Sequence, residues 1–166
     1  MGTRVEKASD HSHSEGMTTW MEDLGSLRAA GRPLRTDNAT EADPEGARLP
    51  GHWARFHAGP RPAGPVVGIY GAYAGDHRAP YTLWAAVIEA EGPLPEGFEA
   101  LDLPSRRARI FEREGAFPAV VAEVWAEVWA HFEASPDPAR AYTWDVERIT
   151  PGPDGRATVR LEISLR

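Results

Sequence analysis

Phe117-Pro-Ala-Val-Val-Ala-Glu-Val-Trp-Ala-Glu-Val-Trp-Ala-His-Phe-Glu133 is the clearest helical stretch in the chain. Pro118 stands near its start, where a missing N–H costs nothing, and Ser135, Pro136 and Pro138 end it. At about 100° per residue, Val121, Val124, Trp125, Val128 and Phe132 fall in one stripe, with Trp129 at its edge. Glu123, Ala126 and Glu127 lie on the far side. The pattern predicts a helix packed on a sheet. It puts Trp125 in the core, makes Trp129 a candidate pocket wall, and leaves Glu123 and Glu127 on a solvated face.

Strands flank this helix. In Ser105 to Arg113, Ala108 and Ile110 alternate with Arg107 and Arg109. Ala141 to Thr150 and Ala157 to Arg166 read as two more, joined by Pro151-Gly-Pro-Asp-Gly155. Val159, Leu161, Ile163 and Leu165 alternate with Arg160, Glu162 and Ser164 in the last. The second half is therefore strand, helix, strand, strand. The first half repeats that order. Ser26 to Thr36 is a strand in which Gly31 and Pro33 mark a bend or an edge. Arg48 to Ala58 is a short helix with Leu49, Trp53 and Phe56 at helical spacing. After a Gly/Pro linker come the strand Val66 to Tyr73, a turn at Gly75 to Arg78, and the strand Pro80 to Ala90. Asp37 to Gly46 is too charged for a core, and Glu91 to Leu103 reads as loop. Element order thus predicts two β-α-β-β units, about 26–90 and 105–166.

Composition narrows the function. The chain has 166 residues, 42% hydrophobic and 26% charged, which fits a soluble globular domain. A net charge of -7 argues against direct nucleic-acid binding, which needs a basic patch. With no cysteine, disulfides, thiolate metal sites and Cys nucleophiles are excluded. No apolar run approaches the roughly 20 residues that span a bilayer, and the N-terminus lacks a signal peptide's apolar stretch, so a cytoplasmic location is expected. Met1 to Gly16 is polar and is expected to be a disordered extension or tag. His11 and His13 on such a tail make a poor metal site. Phosphate-cradling loops, H-E-x-x-H and G-x-S-x-G are absent, and His52, His57, His77 and His131 are scattered. No cofactor and no metal are expected, and nothing marks the chain as an enzyme.

The six tryptophans point to a bulky core or an aromatic binding surface. In Ala141 to Thr150, strand alternation puts Tyr142, Trp144 and Val146 on one face. Thr143, Asp145, Glu147 and Ile149 take the other. The apolar trio is expected to meet a helix, leaving Glu147 on the opposite face. There it is either exposed on an open sheet or lines a concave pocket, and the spacing leaves both open. By the same alternation Tyr70 and Tyr73 point to opposite faces, as do Tyr81 and Trp84. Gly68 and Gly71 leave room for a ligand or a close-packed helix.

Several stretches together resemble the GyrI-like proteins, the effector-binding domains also attached to AraC-type regulators. Val67-Gly-Ile-Tyr-Gly-Ala-Tyr-Ala-Gly-Asp76, followed by Tyr81-Thr-Leu83, resembles their central hairpin. Leu94-Pro-Glu-Gly-Phe98 and Leu103-Pro-Ser-Arg-Arg-Ala108 resemble the linker and next strand, and Phe117 through Trp129 the helix. Tyr142-Thr-Trp-Asp-Val-Glu-Arg148 resembles the family's Asp-aromatic-Glu strand, with Val146 replacing the aromatic residue. Gly31 to Asn38 and His52-Trp-Ala-Arg-Phe56 also fit, so the likeness runs from about Met17 onward.

The resemblance implies an α+β fold. Duplicated β-α-β-β modules form an antiparallel sheet, with two helices on one face and a concave, aromatic-lined ligand cleft on the other. It implies a small-molecule-binding protein for lipophilic or cationic aromatic compounds, acting in drug or toxin sensing or sequestration. Glu147 takes the pocket-centre position, with Tyr70, Tyr73, Trp84, Trp129, Trp53 and Asn38 as further ligand-binding candidates. A cation would pair a desolvated carboxylate, and aromatic faces would add cation–π attraction. Ala74 stands where some relatives carry an acid, which removes one route to a two-carboxylate pocket. Two alternatives remain: hydrolysis of cyclopropane-type genotoxins with Glu147 as base, and a protein–protein interaction module. The implied partners are a small molecule and, among proteins, a second copy of the chain or a regulator, with no membrane and no direct nucleic acid.

Overall fold

The computed structural model describes residues 12–14 and 16–166. In chain order the elements are β1 (Ser12–Ser14), β2 (Met17–Leu24), β3 (Leu27–Thr36), α1 (Asn38–Ala42), α2 (Leu49–Ala58), β4 (Val66–Gly71) and β5 (Tyr81–Ile88). Then follow β6 (Glu99–Leu103), β7 (Arg106–Ala116), α3 (Ala119–Ala134), β8 (Arg140–Pro151) and β9 (Arg156–Leu165). All strands join one antiparallel sheet in the order β1-β2-β7-β9-β8-β4-β5-β3-β6.

The order carries the internal repeat. In β3-α2-β4-β5 and again in β7-α3-β8-β9, the third strand lies between the first and the second. The two units meet at the middle of the sheet, where β4 pairs with β8 through a short ladder: Gly68 with Glu147, Ile69 with Val146, Tyr70 with Asp145. Outside them, β2 extends the sheet beside β7 and β6 extends it beside β3.

The two longer helices, α2 and α3, cover one face. Val120, Val124 and Val128 of α3 are fully buried against Phe111, Val159, Leu161 and Ile163, with Val121, Trp125, Trp129 and Phe132 at the margin. That is the expected apolar stripe, with Val120 added. Glu123 is on the helix surface and pairs with Arg113 at 3.6 Å. Phe56 of α2 packs on Ala85 and Val87. Fully burying a valine or a phenylalanine contributes roughly 1.5–3 kcal/mol, so these contacts anchor the helices.

The other face carries its own apolar cluster: Val67, Ile69, Trp84, Ala86, Leu101, Leu103 and Val146, with Trp144 alongside. This overturns the expected assignment of β8. Val146 and Trp144 do not meet a helix. The helix-bearing face takes Glu147 and Ile149, opposite Leu161 and Val159 of β9. Apolarity cannot assign a face when both faces are buried. The expected placement of Glu147 away from the helices is therefore corrected: it lies on the helix side.

Two strands end their alternation early. Ala72 has φ 49°, just past the end of β4. In β8 the pairing with β9 slips between Arg140 and Asp145, and Tyr142 has φ 54°. These left-handed residues, uncommon outside glycine, re-aim the side chains that follow or precede them.

Four elements were not expected, the first of them β1 within the stretch read as a disordered extension. β2 forms an outer strand; α1 interrupts the polar stretch, its N-cap Asp37 accepting from Thr40 N at 2.7 Å; and β6 runs through the presumed loop. Of the N-terminal extension, residues 1–11 and 15 lie outside the described residues, while Ser12–Ser14 pair with Met17–Thr19.

Candidate ligand-binding site

Glu147 lies at the β4–β8 junction, on the face of the sheet that α3 covers. It is 5% exposed. Its Oε2 accepts from Trp125 Nε1 at 2.7 Å and from the Tyr70 hydroxyl at 3.4 Å. Burial pushes the Glu147 carboxyl above its ordinary value, and the indole and phenol donors pull it part of the way back. Burial, then the Glu147 charge, raises Tyr70 well above the usual tyrosine value, so its hydroxyl stays a donor.

Aromatic rings surround the acid. Tyr70 stands 4.8 Å from Trp125 and 5.5 Å from Tyr81 between ring centroids, and Tyr81 is 6.0 Å from Tyr73. Leu83, Leu49 and Trp53 complete the cluster. Gly68 makes room beneath it. A Cβ there would lie 3.4 Å from Trp53 Cζ2 and from Leu83 Cδ1, and 3.6 Å from the Glu147 Cβ. Thus Trp53, from the first unit's helix, and Trp125, from the second's, pack on the same aromatic cluster beside the acid.

α2 is held in place by another acid. Glu41 accepts from the backbone N–H of Arg48 and of Leu49, each at 3.0 Å to Oε2, and from the Thr36 hydroxyl at 2.6 Å. It satisfies orphan donors at the start of α2, whose own N-cap residue, Arg48, provides no side-chain cap.

A second buried acid lies two residues from Glu147. Asp145 is fully buried. Its Oδ2 accepts from Arg140 Nη2 at 2.8 Å and from the Tyr73 hydroxyl at 2.6 Å, and its Oδ1 accepts from Ser164 N at 3.0 Å. The Arg140 guanidinium lies 4.4 Å from the Tyr142 ring centroid, 5.3 Å from Tyr73 and 6.0 Å from Trp125. Burial opposes its charge, but Asp145 and the tyrosines outweigh that and hold it protonated.

The structure sorts the expected residues. Glu147, Tyr70 and Trp53 come together. Tyr73 joins them through Tyr81, against the expectation that Tyr70 and Tyr73 face opposite ways, because the turn at Ala72 ends the alternation between them. Trp84 does not line the site. It lies on the opposite face, 5.5 Å from Trp144, and its indole donates to Glu99 at 2.8 Å. Trp129 stacks on His77 at 6.2 Å, and Asn38 Nδ2 donates to the His77 carbonyl at 2.7 Å. These two meet each other through His77 rather than meeting Glu147. Trp125, expected in the core, is the site's nearest donor. Its indole N–H was the available signal, because a buried indole requires an acceptor. Tyr81, Arg140, Asp145 and Glu41 were also missed. Among the described residues no group of three His, Cys, Asp or Glu is placed to hold a metal, and no helix is long and apolar enough to cross a membrane.

A duplicated β-α-β-β sheet with an acid and aromatic rings between its two helices defines a GyrI-like effector-binding domain. A family model described as Cass2, integron-associated effector binding protein, matches residues 21–165, and the chain belongs to that family. It is similar to an integron cassette protein from the mobile metagenome of Vibrio cholerae, with 26% identity and a TM-score of 0.73, over 92% of this chain and 97% of that one. SAV2435, solved bound to tetraphenylphosphonium, shares the fold at 16% identity and a TM-score of 0.69, over 89% and 93% of the two chains. A protein of Staphylococcus aureus described as a transcription regulation protein shares it at 16% identity and 0.63, over 90% and 99%. Among curated proteins, none matches the chain significantly.

Proposed function

We propose that this protein binds lipophilic aromatic cations among the aromatic residues that α2 and α3 place beside Glu147, with Glu147 as the counter-ion. One observation carries the reading. Glu147 is a buried carboxylate whose hydrogen-bond partners among the described residues, Trp125 and Tyr70, are both uncharged. A buried acid without a cation is costly, and a ligand cation would remove that cost. The surrounding rings of Tyr70, Tyr81, Trp53 and Trp125 offer π faces to the same charge. The ligand in SAV2435, tetraphenylphosphonium, has this chemistry: one delocalised positive charge wrapped in phenyl groups. The role is that of an effector-binding protein acting in sensing or sequestration of such compounds.

Isothermal titration with tetraphenylphosphonium tests this. The wild-type protein binds it, and Glu147→Gln loses about tenfold or more in affinity, equivalent to at least about 1.4 kcal/mol. Equal binding by both proteins, or no binding by the wild type, overturns the electrostatic reading.

A further inference from the structure

Two acids share the helix-side face of β8, Asp145 and Glu147. Residues two apart on a strand stand about 7 Å from each other on one face. An open site with both acids free would be built for two positive charges. The structure treats them differently. Glu147 meets only uncharged donors among the described residues, whereas Asp145 is saturated by a guanidinium, a phenol and a backbone amide.

The setting of Arg140 is the one an external cation would take. Its guanidinium lies over Tyr142 and Tyr73, its side chain is 4% exposed, and it contacts a fully buried carboxylate. The Trp125 ring borders both compartments, donating its N–H to Glu147 while its face lies 6.0 Å from the Arg140 guanidinium. The register slip in β8 makes this arrangement possible. Without it, Tyr142 would follow the alternation of Trp144 onto the far face of the sheet.

We propose that Arg140 is a resident cation that sets the charge selectivity of the site: it neutralises Asp145, leaves Glu147 as the single acid open to a ligand, and so denies dications the advantage over monocations that a second free acid would give them. This rests on the reading of Glu147 as a ligand counter-ion. Arg140 acts as a specificity-determining residue in two ways. It removes the second acid from use, and its own positive charge repels a second cationic group brought near Trp125.

Ethidium and propidium test the proposal. They share one aromatic cation, and propidium carries a second ammonium group on a short tether. In the wild-type protein the two dyes bind within about threefold of each other, with the same salt dependence, because only one ion pair forms in the site. Arg140→Met frees Asp145 and shifts the preference toward propidium by about tenfold. The double variant Arg140→Met/Asp145→Asn removes both charges and returns the ratio to the wild-type value, while Arg140→Lys, which keeps the charge, leaves it there. Wild-type protein that binds propidium about tenfold more tightly than ethidium, with a steeper salt dependence, overturns the proposal. A folded Arg140→Met variant with an unchanged ratio does the same. The wild-type comparison needs no variant, so it decides the matter even if Arg140→Met fails to fold. Failure of the wild-type protein to bind either dye overturns the cation-binding reading itself, a different result from binding both in the wrong order.

Discussion

Trp125 on α3 and Glu147 on β8 meet across the space between helix and sheet, the indole N–H donating to the carboxylate at 2.7 Å. The donor favours the ionised acid, while burial favours the neutral one. Trp125→Phe keeps most of the ring and removes the N–H. The Glu147 titration then moves further upward, because the stabilised charged form loses a partner. Carboxyl NMR of Glu147 as a function of pH reads this directly. An unmoved midpoint would show that the indole does not hold the acid.

A raised Glu147 titration gives stability and binding opposite pH trends. The folded-state value lies above the ordinary 4.5. The contribution of this group to stability is therefore fully present below that value and is lost as pH rises through the raised one. Glu147→Gln does not titrate, so it becomes more stable relative to wild type over that window. Cation affinity runs the other way, rising with pH as the carboxylate ionises, and binding within the window releases a proton. Thermal melts of both proteins across pH, and titrations in buffers of different ionisation enthalpy, check the two halves.

Arg140 and Asp145 are each nearly fully enclosed, at 4% and 0% side-chain exposure. Asp145→Asn strands the guanidinium and lowers stability by about 3–5 kcal/mol in urea unfolding. Arg140→Met on top of it recovers much of the loss, because the unpaired charge is gone. Additive losses in the two single variants and the double would count against a coupled pair.

Gly68 offers a way to fill the site without changing its charge. Alanine there makes ordinary contacts, at 3.4 Å to Trp53 and Leu83 and 3.6 Å to Glu147. Gly68→Ala therefore folds with a small change in stability. Gly68→Val pushes branches into the space between Trp53 and Glu147 and abolishes tetraphenylphosphonium binding. Retained binding by Gly68→Val would place the ligand elsewhere.

Glu41 holds the start of α2, the helix that carries Trp53. Glu41→Ala frees the N–H groups of Arg48 and Leu49 and lowers stability by about 1 kcal/mol, the usual value for a lost helix cap. It also weakens cation binding, because Trp53 loses its fixed approach. Urea unfolding and titration of the same variant separate the two effects.

Much of the fold is legible in the chain. Alternation in Val159 to Leu165 and the stripe on α3 mark strand and helix without tertiary help. The short β6 does not stand out, because Glu99 to Leu103 follows a Gly/Pro run and becomes a strand only by pairing with β3. Glu147 is legible as a candidate through its place in a strand and through a family likeness, yet its face is not. Tyr142 and Trp144 look equivalent by counting in twos, and the slip at Arg140 to Asp145 separates them. Trp84 misleads for a related reason, since a large aromatic residue beside a pocket strand serves equally well in the cluster behind the sheet. Arg140 carries no local signal at all, because its partners Asp145, Tyr73 and Tyr142 converge only in three dimensions.

The short ladder between β4 and β8 runs beneath the acid, with Glu147 itself a rung opposite Gly68. Trp53 belongs to one unit and Trp125 to the other, so a guest seated between them is a suture across the middle of the molecule. Occupancy would tighten the short join between the two units, and amide hydrogen exchange in residues 66–71 and 145–147 would slow together. The two halves would then respond to the guest as a single body: a change in how the halves are held, felt at surfaces far from the charge.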